Sequence, residues 1–238
     1  MGVMILIMEL CLMVNTGKDL WIKDTKESFF KSGSIYVNGI VNKIRKHISP
    51  DFSPERSLDI GCGVGRLLIP ISKISTEAVG VDVSASMLAE AEKNLVKFSI
   101  ENTQLIESKD CANFQKHTFD FIHSYIVFQH IPVNHGMIIF ENVLGALKPG
   151  GVGVLHFTYF NPSLHGFKGI IRNNLPFLRS IKKILTGESV EPEMQMNEYK
   201  LIELIEALSE KGVSELYVDI TDHSGIKGVI IYFQKCGV

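Results

Sequence analysis

Short apolar runs and helically spaced segments alternate along most of this chain. SLDI (57–60), AVGVD (78–82), QLIES (104–108), FDFIHSY (119–125) and GVGVLHF (151–157) are brief and bounded by Gly, Asp, Asn or Pro. Such runs read as buried parallel strands. Between them, SASMLAEAEKNLVKF (84–98) places Met87, Leu88, Ala91, Leu95 and Phe98 on one helical face, with Ser84 positioned to cap the first turn. HGMIIFENVLGAL (135–147) repeats the pattern and stops at Lys148-Pro149-Gly150-Gly151, where Pro cannot continue a helix and Gly permits a tight turn. Strand, helix, strand in this order predicts right-handed crossovers and an open, doubly wound α/β sheet of Rossmann type.

The flanks extend this frame. DLWIKDTKESFFKSGSIYVNGIVNKIRKHI (19–48) predicts one or two helices, and NEYKLIELIEALSEKG (197–212) another, with Leu201, Leu204, Ile205 and Leu208 as its core stripe. ELYVDIT (215–221) and KGVIIYFQK (227–235), joined by the turn-rich DHSG, read as a closing antiparallel hairpin. The expected sheet therefore has seven strands, mostly parallel. Between the fifth strand and the last helix, residues 161–196 break the regularity as an insertion carrying Lys168, Arg172, Arg179, Lys182 and Lys183. The expected organisation is a single domain: a helical lid segment over 1–50, then a core over 51–238.

Composition narrows the function classes. With 24 basic and 26 acidic side chains, the 238-residue chain carries no overall field that would draw it onto nucleic acid or an anionic membrane. Cys11, Cys62, Cys111 and Cys236 are far apart, with no CxxC spacing; neither a zinc site nor a disulfide framework is expected, and a reducing cytoplasmic setting fits. The opening MGVMILIMELCLMV has no Lys or Arg before its apolar run and contains Glu9. It makes a poor signal peptide and is too short to span a bilayer as a helix. Met4, Met8 and Met13 each offer a later start for translation.

The chemistry starts at LDIGCGVGR (58–66). A dinucleotide fingerprint needs glycines at relative positions one, three and six, whereas here they fall at 61, 63 and 65, with Arg at 66. No Gly-Lys-Ser/Thr follows, so the phosphate-cradling loop of nucleotide triphosphatases is absent as well. Asp59, on the strand just before the turn, would repel a pyrophosphate but attract, directly or through water, a ligand end bearing an ammonium group. Seventeen positions after Gly65, Asp82 closes the second strand, where a carboxylate accepts hydrogen bonds from both hydroxyls of a ribose. Together these features point to a nucleoside without phosphates.

Asp59-Ile60-Gly61-Cys62-Gly63-Val64-Gly65, Val81-Asp82-Val83-Ser84 with Met87-Leu88, Lys109-Asp110-Cys111, Phe119-Asp120-Phe121 and Leu147-Lys148-Pro149-Gly150-Gly151 follow one another in order. Over about Ser57 to Thr158 this set resembles the motifs of class I S-adenosylmethionine-dependent methyltransferases. The resemblance implies S-adenosyl-L-methionine as cofactor. It also implies that the backbone at Gly61, Cys62, Gly63 and Gly65 approaches the methionine part, that Asp82 and Val83 lie at the ribose, and that Met87 packs on the adenine. Asp110 and the Cys111 amide would read the adenine edge, and Ser124 would border the site.

Acceptor chemistry belongs in SYIVFQHIP (124–132), after the fourth strand, because the cleft of this architecture opens at the carboxyl ends of the strands. His130 is the catalytic candidate as a general base, with His156 and Tyr159 as second candidates. Neither the DPPY-type motif of amino-group enzymes nor the Pro-Cys of cytosine C5 enzymes is present. The expected partner is a small-molecule acceptor methylated on oxygen or nitrogen, with no nucleic acid and no membrane span. The rivals are an RNA or protein methyltransferase of the same fold, a non-catalytic cofactor-binding module, and a nicotinamide dehydrogenase.

Overall fold

The structure, a computed structural model, describes residues 19–108, 116–165, 196–213 and 215–237, with side chains from Thr25 onward. In chain order the elements are α1 (Asp19–His47), β1 (Arg56–Ile60), α2 (Leu68–Ser72), β2 (Glu77–Asp82), α3 (Ala85–Lys97), β3 (Thr103–Glu107) and β4 (Phe119–Ser124). A 3-10 turn (Phe128–His130) follows, then α4 (Val133–Ala146), β5 (Leu147–Phe160), α5 (Pro162–His165), α6 (Leu201–Glu210), β6 (Leu216–His223) and β7 (Ile226–Gln234). The strands form one seven-stranded sheet in the order β3-β2-β1-β4-β5-β7-β6. The first five pair in parallel, and β7 lies antiparallel between β5 and β6. This is the Rossmann-like α/β sheet with the antiparallel closing hairpin that the alternating pattern predicts.

The order reverses between β1 and β4: β2 and β3 extend to one side and β5 to the other. Loops leaving the carboxyl ends of β1 and β4 therefore diverge and leave a crevice between them, the usual ligand position in open α/β sheets. Each sheet face carries its own core. One buries Leu58, Ile122, Leu155 and Ile231 under α4 and α6. The other buries Phe121, Val154, Ile230 and Tyr232 under Val37, Ile40 and Ile44 of α1. Ser84 caps α3, its Oγ accepting from the Met87 N–H at 3.3 Å, as its placement before the helical stripe requires.

Several details differ from the sequence expectation. The short α2 has no helical period to detect, because all five of its residues, including Pro70, are buried. In α6 the core stripe is Leu204, Ala207 and Leu208. Ile205, expected in the core, is 44% exposed because small Ala207 takes the sheet-facing position. Lys148 to Gly151 belong to β5 rather than to a turn: Lys148 reaches Asp120 at 3.0 Å and the Gly150 N–H donates to Lys235 O at 2.8 Å. The 19–48 segment forms one helix, Asp19–His47. The N-terminal residues 1–18 and most of the 161–196 insertion, with its basic run, lie outside the described residues. No helix among the described residues is long and apolar enough to cross a membrane.

Helix α1 crosses the whole sheet. Phe30 packs on Phe98 beyond α3 at 4.9 Å between ring centroids, Tyr36 lies edge-on to His123 of β4, and Lys43 pairs with Asp219 of β6. At its midpoint Gly33 touches the chain after the glycine turn: a Cβ there would lie 2.2 Å from the Arg66 carbonyl oxygen. A backbone atom cannot yield as a side chain can, so Gly33→Ala is expected to push α1 off the turn. Overpacking of this kind costs about 2 kcal/mol, a melting point lower by roughly 4–8 °C. Thermal denaturation followed by circular dichroism measures it; unchanged melting would mean that α1 does not bear on Arg66.

Candidate functional site

The glycine turn follows β1 directly. Gly61, Gly63 and Gly65 have φ of 70°, 52° and 89°, the left-handed region that side chains other than glycine rarely adopt. Gly61 is also sterically closed, since a Cβ would lie 2.2 Å from Cγ2 of Val127 in the loop after β4. The turn is anchored to β2 by the Gly61 and Cys62 N–H groups, which donate to Val81 O at 2.7 and 3.0 Å. At the tip of β2 the Asp82 carboxylate spans two segments: Oδ2 accepts from the Gly63 N–H and Oδ1 from the Ser84 N–H, both at 2.9 Å. Bend and carboxylate thus lie side by side at the carboxyl ends of β1 and β2. Each carboxylate oxygen retains further acceptor capacity. Around Gly63 a Cβ would meet nothing within 4 Å, so the bare backbone borders open space. Val83 is exposed and Met87 half-buried at the start of α3.

Cys62 points the other way, into a core pocket with Leu68, Ala78 and Leu88. Burial pushes its thiol far above the ordinary range, and Asp59 and Asp82 push in the same direction. It contributes backbone to the turn and packing to the core, not a nucleophile. Ser124 is buried, and its Oγ donates to Ile60 O at 3.2 Å, tying the end of β4 to the end of β1.

Asp59 does not stand open to the crevice as an isolated carboxylate. It is paired across the sheet with His123 of β4, in register, and its Oδ1 lies 2.7 Å from His123 Nδ1 with both side chains buried. Asp59 Oδ2, His123 Nε2 and the Tyr36 hydroxyl are buried without a hydrogen-bond partner. Unsatisfied buried polar groups are rare and costly. Arg66, largely desolvated, stands over the Phe29 ring at 5.5 Å and interacts with Tyr125, Asp59 and Tyr36. Sequence reading finds Asp59 but misses His123, Tyr36 and Tyr125. Their proximity depends on strand register and on the crossing of α1, which no local spacing reveals.

The candidate acceptor residues lie on and after β4 and on β5. His130 closes the 3-10 turn, its Nε2 3.1 Å from Gln129 Nε2. Gln129 accepts from Thr158 Oγ1 at 2.8 Å, and its carbonyl receives the Asn197 N–H at 2.7 Å. His130 thus belongs to a network that holds the loop onto β5 and the chain before α6. His156, in contrast, lies on the α1 face beside Tyr125 and His223. Burial pushes its imidazole down to about 3, with His223 and His123 adding to the effect, so it is neutral near physiological pH. Asp110 and Cys111, the expected adenine-reading pair, lie outside the described residues. Among the described residues no group of three or more His, Cys, Asp or Glu could hold a metal ion.

This geometry can be set beside known proteins. The family model described as "Methyltransferase domain" matches residues 58–152, the stretch from β1 through the glycine turn into β5. Residues 58–152 are thus similar to that family. Over 101 residues the chain is 33% identical to a ubiquinone biosynthesis O-methyltransferase of Nitrobacter winogradskyi, covering 41% of this chain and 36% of that protein. Over 102 residues it is 28% identical to the 23S rRNA (uracil(1939)-C(5))-methyltransferase RlmD of Shewanella sediminis, covering 41% of this chain and 23% of that protein. The match thus spans well under half the length of these curated relatives. The whole methyltransferase fold is shared with magnesium protoporphyrin IX methyltransferase from Synechocystis, solved with bound S-adenosylhomocysteine. There the TM-score is 0.61 at 17% identity, covering 93% of this chain and 90% of that one.

Proposed function

We propose that this chain is an S-adenosylmethionine-dependent methyltransferase acting on an oxygen or nitrogen of a small-molecule acceptor. The observation that carries the reading is the Gly63–Asp82 contact, which sets an open glycine backbone and a carboxylate with spare acceptor capacity on one crevice. A nucleoside carrying a positive sulfonium and no phosphate fits that donor set. Asp82 would hold the ribose hydroxyls, the backbone at Gly61 and Gly63 would border the methionine part, and Met87 would pack on the adenine. Asp59 acts from behind the turn, one oxygen paired with His123 and the other oriented by that pairing. When bound, S-adenosylmethionine supplies an electrophilic methyl group whose departure leaves a neutral sulfide. The chain's own contribution is to align the acceptor and to exclude water, so that loss of charge in the crevice is favoured.

The near-zero net charge supports a small acceptor over RNA. The likeness to rRNA methyltransferases supports the alternative, in which the same crevice serves a nucleic acid. Two measurements separate these readings. Calorimetry is expected to show S-adenosylhomocysteine binding in preference to NAD; the reverse preference would revive a dehydrogenase. Methyl-labelled S-adenosylmethionine, incubated with the protein and either a metabolite extract or total RNA, is expected to label a compound in the extract. Label confined to RNA would overturn the small-molecule assignment, and binding without any transfer would leave a cofactor-binding module.

A further inference from the structure

Three aromatic side chains close the carboxyl end of the sheet on its α1 face. Tyr125 follows β4, His156 lies in β5 and His223 ends β6. Their rings meet edge to face, with centroids 5.1 Å apart for Tyr125–His156, 5.8 Å for His156–His223 and 6.3 Å for Tyr125–His223. The Tyr125 hydroxyl is 3.5 Å from His223 Nε2, and His223 is exposed. His156 is buried, its Nε2 3.1 Å from Thr221 Oγ1 and its Nδ1 without a partner. A fully buried polar atom without a partner, His156 Nδ1, thus lies in a cluster with a half-buried tyrosine and an exposed histidine.

Its position relates it to the glycine turn. Ile126, the next residue after Tyr125, has φ of 61°, a strained conformation for a β-branched residue that costs on the order of 1–3 kcal/mol. The bend delivers Val127 onto Gly61 and turns Tyr125 the other way, against Tyr36 at 4.4 Å between ring centroids. Tyr125 also feels Arg66 just past the turn. It thus stands between the glycine turn and the histidine pair. The titratable groups facing it are Tyr36 from α1, Arg66 from the turn, His156 from β5, His223 from β6 and Tyr232 from β7.

Resting on the methyltransferase reading above, we infer that Tyr125 and His223 form the proton exit for a hydroxylated aromatic acceptor held against this cluster. Edge-to-face surfaces suit an aromatic ring, and the unpartnered His156 Nδ1 supplies a polar contact for a second substituent on it. As the acceptor hydroxyl oxygen gains a methyl group through one of its lone pairs, it gives up its proton to the Tyr125 oxygen. Tyr125 passes its own proton to His223 Nε2, and the exposed imidazolium releases a proton to water. Tyr125 ends as it began, and one proton leaves for each methyl transferred. Burial pushes the Tyr125 phenol up, although Arg66 pulls it back; it therefore acts as a neutral donor and acceptor in passing and not as a standing phenolate.

Catechol is the probe, titrated into the protein saturated with S-adenosylhomocysteine. The readouts are imidazole nitrogen shifts by NMR and, separately, S-adenosylhomocysteine affinity by calorimetry. Catechol is expected to shift the His223 resonance, and Tyr125→Phe is expected to abolish that response and to raise the catechol dissociation constant about tenfold. His223→Gln should leave catechol binding within about twofold, and both variants should retain native S-adenosylhomocysteine affinity. A His223 resonance unmoved by catechol, or moved equally in Tyr125→Phe, overturns the proton exit. Failure of the unmodified protein to bind S-adenosylhomocysteine would instead strike the methyltransferase reading, which makes the two failures distinguishable.

Discussion

Asp82→Ala is expected to weaken S-adenosylhomocysteine binding by roughly ten- to a hundredfold, with little change in the fold. Two effects combine. On the proposed function the substitution removes the acceptor for two ribose hydroxyls, and hydrogen bonds to a charged group contribute about 1.5–3 kcal/mol. It also releases the Gly63 and Ser84 N–H groups that the carboxylate now ties together at 2.9 Å. The crevice wall then loses its internal brace as well as its ligand contact. Asp82→Asn separates the two, because an amide keeps one acceptor oxygen but presents an NH2 where an N–H now donates. It should fall between the native protein and Asp82→Ala. A dissociation constant unchanged in Asp82→Ala by calorimetry would remove Asp82 from the binding site.

The second large effect concerns stability. His123→Leu leaves both Asp59 oxygens without a partner at a buried position where one is unpartnered already. Leaving a buried acceptor of this kind unsatisfied costs about 3 kcal/mol, a melting point lower by roughly 6–12 °C for a chain of this size. The double variant Asp59→Leu/His123→Leu should recover much of that loss, since replacing both partners with apolar groups removes the orphaned polar atom. A double-mutant cycle reads the coupling directly. If the single and double variants melted alike, the pair would be a neighbourly contact with no coupling of its own. The double variant is expected to bind S-adenosylhomocysteine more weakly even where it regains stability, because the negative charge behind the turn is gone.

How much of this was legible beforehand depended on whether the signal was local. The strands of the parallel sheet, the Ser84 cap and the closing hairpin all announce themselves within a few residues, through apolar runs, capping chemistry and turn residues. The glycines at 61, 63 and 65 and the carboxylate at 82 were readable for the same reason: one element, strand–turn, repeats a spacing whose physical demands are local. Helix α2 was not, because a helix buried on every side has no polar face to set its period. Ile205 misled because its apolar character fitted helical spacing, while the sheet took the smaller Ala207. His130 stood out by residue type, yet the structure engages it with Gln129 in a loop-holding network.

By itself, the sequence determined the alternation that makes an α/β sheet and the turn chemistry that opens its crevice, because backbone propensity, capping and positive φ are properties of a residue and its near neighbours. Only the tertiary structure decided which side chains meet near that turn. Asp59 meets His123 across 64 positions and Tyr125 meets His223 across 98, through parallel register and strand order. Those are set by the packing of two cores at once, a sum over contacts distant along the chain that no window of residues contains.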